Sequence, residues 1–273
     1  MYIPEYPYSI RLNGRLTVLD RPLVMGILNV TPDSFYAGSR STASAEAVER
    51  AGRMFAQGAD IVDVGACSTR PGSEPVSEQE EADRLFPVLE VLCRAFPQAC
   101  FSVDTFRSRL AATAVERYGA AMINDVSGGA DPHMFETVAR LQVPYVLTDN
   151  PAEGEAGDSV SVIRRLASSM MKLRELGVND IVADPGFGFG KTLEENYALL
   201  KRLSDLNLAL QLPLMVGISR KSMIYNLLDT TPDHALNGTT ALNMVALEKG
   251  ACLLRVHDVS QAVECVRIHD QLK

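Results

Sequence analysis

A parallel (β/α)8 barrel of the TIM type is the fold class that the sequence predicts, on three observations. Eight short apolar runs are spread along 273 residues, amphipathic stretches of helical period separate them, and the segments rich in Gly, Pro and Ser follow the runs. A barrel of this kind takes about 250 residues and carries its working loops at the carboxyl ends of its strands. A doubly wound open sheet is the competing arrangement; a count of eight favours closure.

The first element is a hairpin. In IRLNGRLTVLD, Asn13-Gly14 stands between two short runs, the signal for a type I′ turn, and this hairpin is expected to cover the bottom of the barrel. The strands follow as VMGILNV (24–30), IVDVGA (61–66), CFSVDT (100–105), MINDVS (122–127), YVLTD (145–149), IVADPG (181–186), LMVGIS (214–219) and CLLRVHD (252–258). They are apolar on successive positions, as suits strands buried on both faces. Between them, SEQEEADRLFPVLEVLCRAF repeats Leu85, Val88, Leu89 and Leu92 at helical spacing, and SVIRRLASSMMKLRELG stops at Gly177. No linker composition interrupts the series, so residues 1–273 read as one domain. The acidic tract Glu153, Glu155 and Asp158 reads as a solvated, mobile loop.

Charge and cysteine usage narrow the function. Against 26 Lys and Arg stand 34 Asp and Glu, a net −8 that argues against a coat for nucleic acid or anionic membrane. An anionic ligand must be met by bases gathered locally. The five cysteines have no C-x-x-C spacing, so neither a disulfide framework nor a thiolate zinc site is expected. The chain also shows no leader and no run of about 18 apolar residues, which points to the cytoplasm and away from the membrane.

Residues 184–192, DPGFGFGKT, resemble a phosphate-cradling loop at first sight. The spacing excludes it, because a P-loop has glycine five residues before the G-K-[ST] glycine, where this chain has Pro185. The polar residues at the strand ends are more informative. They are Asn29, Asp63, Asp104, Asn124 with Asp125, Asp184, Ser219 with Lys221, and Arg255 with His257. A single one of them could simply cap the next helix; so many aimed into one barrel mouth suggest a site. Asp104, Asn124 and Asp184 suit a flat, donor-rich heterocycle, whereas Lys221, Arg255, His257 and Arg70 suit phosphate or carboxylate. Alone, His257 reads as a core histidine, but beside Arg255 at a strand end the ligand reading is favoured. Lys221 could be a helix-start lysine, but a cation there opposes the helix dipole, so function is favoured; Lys191 with Thr192 reads as the beginning of a helix.

In order and at barrel spacing, ILNVTPDSF, DVGACSTRPGS, SVDT, IND, DPGFGFGKT, SRKS and RVHD resemble the successive signatures of the dihydropteroate synthases, over roughly residues 23–260. The resemblance implies condensation of 6-hydroxymethyl-7,8-dihydropterin pyrophosphate with p-aminobenzoate, by an SN1-like path, to dihydropteroate and pyrophosphate in folate biosynthesis. It places Asp104, Asn124, Asp184 and Lys221 around the pterin and Asp63 beside it or its pyrophosphate. Asn29, Arg255 and His257 fall in the pyrophosphate and Mg²⁺ region, with Asn29 as the metal ligand. Thr69, Arg70 and Pro71, with Phe189, Lys221 and Ser222, lie near the aminobenzoate. It also implies a homodimer.

Two departures stand out. The family's Asp-Gly-Gly run after TPDSF is replaced here by Tyr36-Ala37-Gly38, and its Leu-Met-His by Leu147-Thr148-Asp149. Two rival readings remain open, a methyltransferase barrel serving a corrinoid and a catalytically silent pterin binder. The first leaves Arg70 and Lys221 without a task and finds no D-x-H-x-x-G signature here.

Overall fold

The computed structural model describes residues 8–30, 40–67, 76–152, 154–155 and 157–272, and only the backbone of 40–43. Strands β1 (Ser9–Leu12) and β2 (Arg15–Val18) pair antiparallel across Asn13 and Gly14, whose φ angles of 48° and 72° are those of the expected type I′ turn. Eight parallel strands then close a barrel. They are β3 (Leu23–Asn29), β4 (Ile61–Gly65), β5 (Cys100–Asp104), β6 (Met122–Asp125), β7 (Tyr145–Thr148), β8 (Ile181–Asp184), β9 (Leu214–Val216) and β10 (Ala251–Val256). Each pairs with its successor, and β10 returns to β3 with Arg255 beside Met25.

Alternation along each strand divides the core in two. Outward residues such as Val24, Val62, Val103, Leu147 and Leu254 join the helices in one large apolar layer. Inward residues near the strand starts, Met25, Ile61, Met122, Val146, Val182, Met215 and Leu253, form a second cluster together with Ile10 and Leu12 of the hairpin. The hairpin thus lays two buried side chains across the barrel floor, as the sequence predicts; burial of each stabilises by about 1.5–3 kcal/mol.

The helices show why these segments start where they do. In α2 (Glu78–Ala95) the Ser77 side chain accepts from the Glu80 N–H while Glu80 reaches back, and Leu85, Val88, Leu89 and Leu92 are buried. Asp158 begins α5 (Ser159–Glu175) by accepting from the Ser161 N–H at 3.0 Å, so this member of the acidic tract is a helix cap rather than part of a loose loop. The remaining outer helices include α1 (Arg40–Ala56), α3 (Ser108–Tyr118), α4 (Met134–Leu141) and α10 (Val259–Gln271). One helix per strand is the expectation, and two units exceed it. After β8 come α6 (Leu193–Lys201) and α7 (Leu203–Leu210), separated at Arg202; after β9 come α8 (Ser222–Tyr225), a 3-10 turn at Pro232–His234 and α9 (Leu236–Glu248). No helix among the described residues is long and apolar enough to cross a membrane.

Candidate active site

Strand register gathers the polar residues at one end. Asn29 stands beside Gly65, Gly65 beside Asp104, and Asp104 beside Asn124, a continuous row around four strands. Gly65 has a packing reason to be bare, since a Cβ there would lie 3.3 Å from that of Asp104. Across the mouth, Thr148 is the register partner of Asp184.

Four of these residues bond directly. Arg255 donates from Nε to Asp63 Oδ2 at 2.8 Å and from Nη2 to Asp104 Oδ2 at 2.6 Å, while Asn124 Nδ2 donates to the same Asp63 oxygen at 2.9 Å. Asp63 and Asn124 are fully buried and Asp104 and Asp184 nearly so. Asp63 Oδ1, Asn124 Oδ1, Ser102 Oγ and Thr148 Oγ1 are buried without a hydrogen-bonding partner among the described residues. Buried polar atoms are ordinarily paired, so these mark where a ligand rich in donors fits.

The glycine-rich turn after β8 completes the wall. Gly186, Gly188 and Gly190 all have positive φ, and a Cβ at Gly186 would meet the Asp149 carbonyl oxygen at 1.9 Å. The turn is shaped by the β7 loop against which it lies. Gly186 N–H donates to Asp184 Oδ1 at 2.8 Å and orients that carboxylate. Lys221 donates to the Phe187 carbonyl, and its ammonium sits 4.5 Å from the centroid of the Phe189 ring. Thr192 caps α6 as expected. Lys191 does more than begin a helix: its Nζ is buried and donates to Asp149 Oδ2 and to Gly186 O, both at 3.0 Å.

The SRKS and RVHD segments interlock. Arg220, at φ 54°, makes two 2.8 Å bonds to Asp258, and Ser219 Oγ lies 3.1 Å from His257 Nδ1 and accepts from the His257 N–H at 3.2 Å. Ser222 opens α8 directly after Lys221. His257 is exposed at the strand end rather than part of the core.

Burial sets the electrostatics. It pushes the Asp104 carboxyl up to about 7 even though Arg255 opposes the rise, and it raises Asp184 against the pull of Lys221 and the Gly186 N–H. Burial also lowers the Lys221 ammonium to about 8, with Asp184 partly restoring it. Arg255 is desolvated too, yet Asp63 and Asp104 outweigh that and hold it above the ordinary range.

One strand-end residue faces the wrong way for a ligand. Asp125 follows Asn124 and therefore points to the helix layer, where it accepts from the Ser127 N–H, the Gly129 N–H and, at 2.7 Å, the Tyr145 hydroxyl. Thr69, Arg70 and Pro71 of the second loop, and Asp33, Tyr36 and Ala37 of the first, lie outside the described residues. Sequence reasoning missed three buried charged groups: Lys191 and Asp149, and Glu81, which accepts from Thr105 at 2.7 Å and from Arg107. For Glu81 the available signal was SVDT itself, whose threonine needs a partner.

A closed barrel with acceptor oxygens, an amide and two cations in one mouth defines a pterin-binding enzyme of the barrel class, and the family model described as pterin binding enzyme matches residues 25–257. The dihydropteroate synthase of Escherichia coli K12 is 40% identical over 260 residues, covering 92% of this chain and 91% of that protein. A Xanthomonas albilineans dihydropteroate synthase solved with 4-aminobenzoic acid superposes at TM-score 0.89 with 37% identity, covering 97% of this chain and 98% of that one. The same enzyme in complex with 7,8-dihydropteroate gives 0.85 and 36%, with the same coverage. This chain belongs to the dihydropteroate synthases.

Proposed function

We propose that the buried cup formed by Asp63, Asp104, Asn124, Asp184, Lys221 and Arg255 binds 6-hydroxymethyl-7,8-dihydropterin pyrophosphate and lets p-aminobenzoate displace its pyrophosphate, giving 7,8-dihydropteroate. The observation that carries this reading is the bonded set Asp63–Arg255–Asp104 with Asn124, whose unpaired oxygens match the N–H edge of an amino-pyrimidinone.

An arylamine is neutral near pH 7 and offers its lone pair without a general base, so the demanding step is scission of the C–O bond to pyrophosphate. Three carboxylates against two cations favour the pterin cation left behind. Lys221, Arg255 and His257 meet the departing phosphate oxygens, and the path is SN1-like with no covalent enzyme intermediate. Phe189, Lys221 and Ser222 receive the aminobenzoate, joined by Thr69, Arg70 and Pro71 of the second loop.

Mg²⁺ is the cofactor that fits. Among the described residues no group of three His, Cys, Asp or Glu is gathered to hold an ion alone. Mg²⁺ characteristically uses one or two protein oxygens and completes its shell with phosphate and water. Asn29, in the row with Asp104 and Asn124, offers a hard amide oxygen at the mouth, and the ion would neutralise charge on the leaving group. The reading further includes a cytoplasmic single-domain enzyme that pairs with a second copy through α9 and α10, where Val245 and Ile268 are exposed.

The deciding experiment measures pyrophosphate release from the dihydropterin pyrophosphate with and without p-aminobenzoate. Release that depends on the amine and yields dihydropteroate is expected; pterin binding with no turnover would establish the silent binder instead. Asp184→Ala should cost on the order of 1.5–3 kcal/mol in pterin affinity by calorimetry, and unchanged binding would remove Asp184 from the site.

The pH profile of kcat/KM follows from the two perturbed groups. Asp104 must be ionised, so activity climbs as pH passes about 7; Lys221 must be protonated, so activity declines above about 8. Lys221→Arg keeps its charge at higher pH and should abolish the alkaline limb. A profile flat through both limbs would contradict the assignment.

A further inference from the structure

We infer that Asp149 and Lys191 form a positioning pair that fixes the glycine-rich turn and, through it, the placement of Lys221 and Phe189 in the aminobenzoate site. The inference deepens the synthase reading and rests on it for the identity of that substrate.

Both charged groups are almost completely buried, with 1% of each side chain exposed. Lys191 Nζ reaches Asp149 Oδ2 at 3.0 Å and the Asp149 carbonyl at 3.3 Å on one loop, then Gly186 O at 3.0 Å and Phe189 O at 3.4 Å on the other. One ammonium therefore ties the ends of β7 and β8 together. Asp149 is held in turn by Arg165 of α5, through bonds of 2.7 and 2.9 Å, and by its own N–H to the Asp184 carbonyl at 2.8 Å. Of the two turn carbonyls that Lys191 grips, that of Gly186 directly precedes Phe187, whose own carbonyl takes the Lys221 ammonium, and the other belongs to Phe189, whose ring lies under that ammonium. Gly188 is packed against the same side chain, a Cβ there falling 3.2 Å from Lys221 Cδ.

The energetics favour a positioning role over simple stabilisation. A buried ion pair gains little over an apolar pair of the same volume, because desolvation offsets the attraction. Its geometry is nevertheless stringent: four acceptors converge on one nitrogen, and the turn they define contains three left-handed glycines with little conformational preference of their own. Asp149 stands where the resemblance implies a histidine.

Asp149→Asn tests the pair with minimal change of shape. Its KM for p-aminobenzoate should rise about ten- to a hundredfold, with pterin affinity altered less than about threefold, as expected when one reacting group is misplaced. A second readout needs no turnover: titration of Lys221 followed by NMR of labelled lysine side chains. Losing a negative charge would by itself push the Lys221 ammonium further below about 8, whereas a loosened turn admits water and moves it up toward the ordinary lysine value. The upward shift is expected, and a downward shift or an unchanged KM overturns the proposal. Lys191→Met should raise the same KM; if that variant does not fold, Asp149→Asn alone decides. Should the wild type make no dihydropteroate, the synthase reading fails while the lysine titration still tests the pair.

Discussion

Arg255→Met is expected to unfold this protein at a midpoint several degrees lower and to abolish turnover. The guanidinium is the only partner bonded to both Asp63 and Asp104 among the described residues, and both carboxylates are buried. Methionine fills similar space with no charge, leaving two anions uncompensated; breaking a buried pair in this way costs about 3–5 kcal/mol. The loss should itself depend on pH. With Arg255 gone, burial raises Asp104 further, against the weaker pull of Lys221, so the folded state holds a proton that the unfolded chain gives up near pH 4. A carboxyl with a raised folded pKa makes stability fall as pH rises from the unfolded value through the folded one. The variant should therefore be closest to wild type near pH 5 and furthest from it near pH 8, in urea melts at the two pH values. A deficit equal at both would show that the two carboxylates do not depend on Arg255.

Gly186→Ala is the second substitution with a large expected effect. The residue has φ 68°, and a Cβ would stand 1.9 Å from the Asp149 carbonyl oxygen and 3.3 Å from Thr148 Cγ2. Backbone strain in the left-handed region and displacement of a neighbouring loop each cost about 1–3 kcal/mol, so a loss on the order of 3 kcal/mol is expected. Because Gly186 N–H also orients Asp184, pterin affinity should fall with it. Gly154 supplies the control. It too has positive φ, at 81°, but among the described residues nothing lies within 4 Å of a Cβ there, so Gly154→Ala should carry the backbone strain alone, about 1–2 kcal/mol. Equal losses in thermal melts would show that the close approach at Gly186 is unimportant.

The contrast between these glycines shows what could be read from sequence. Three glycines in DPGFGFGKT announced a special turn, and the spacing excluded a phosphate loop. The reason for Gly186, however, is a carbonyl from another loop, a tertiary contact with no local trace. Lys191 was misread on the same ground, since its partner Asp149 lies 42 positions away and looked like part of a polar loop. Strands were legible because burial on both faces makes each a continuous apolar run. That same continuity hid the facing of each residue, and Asp125 was grouped with Asn124 although register sends them to opposite sides. Strand-then-helix alternation implies one helix after β8; the break at Arg202, which both ends α6 and starts α7, has no Gly or Pro to announce it. Strand-end chemistry came through best, with Asp63, Asp104, Asn124 and Arg255 meeting as one bonded group.

The hairpin across the barrel floor has a consequence for traffic. With Ile10 and Leu12 packed among the lowest inward residues, the vessel is blind at that end and everything must pass through the rim. On the proposed reading, of two substrates seated one above the other the deeper is expected to arrive first, an order that product-inhibition kinetics would check.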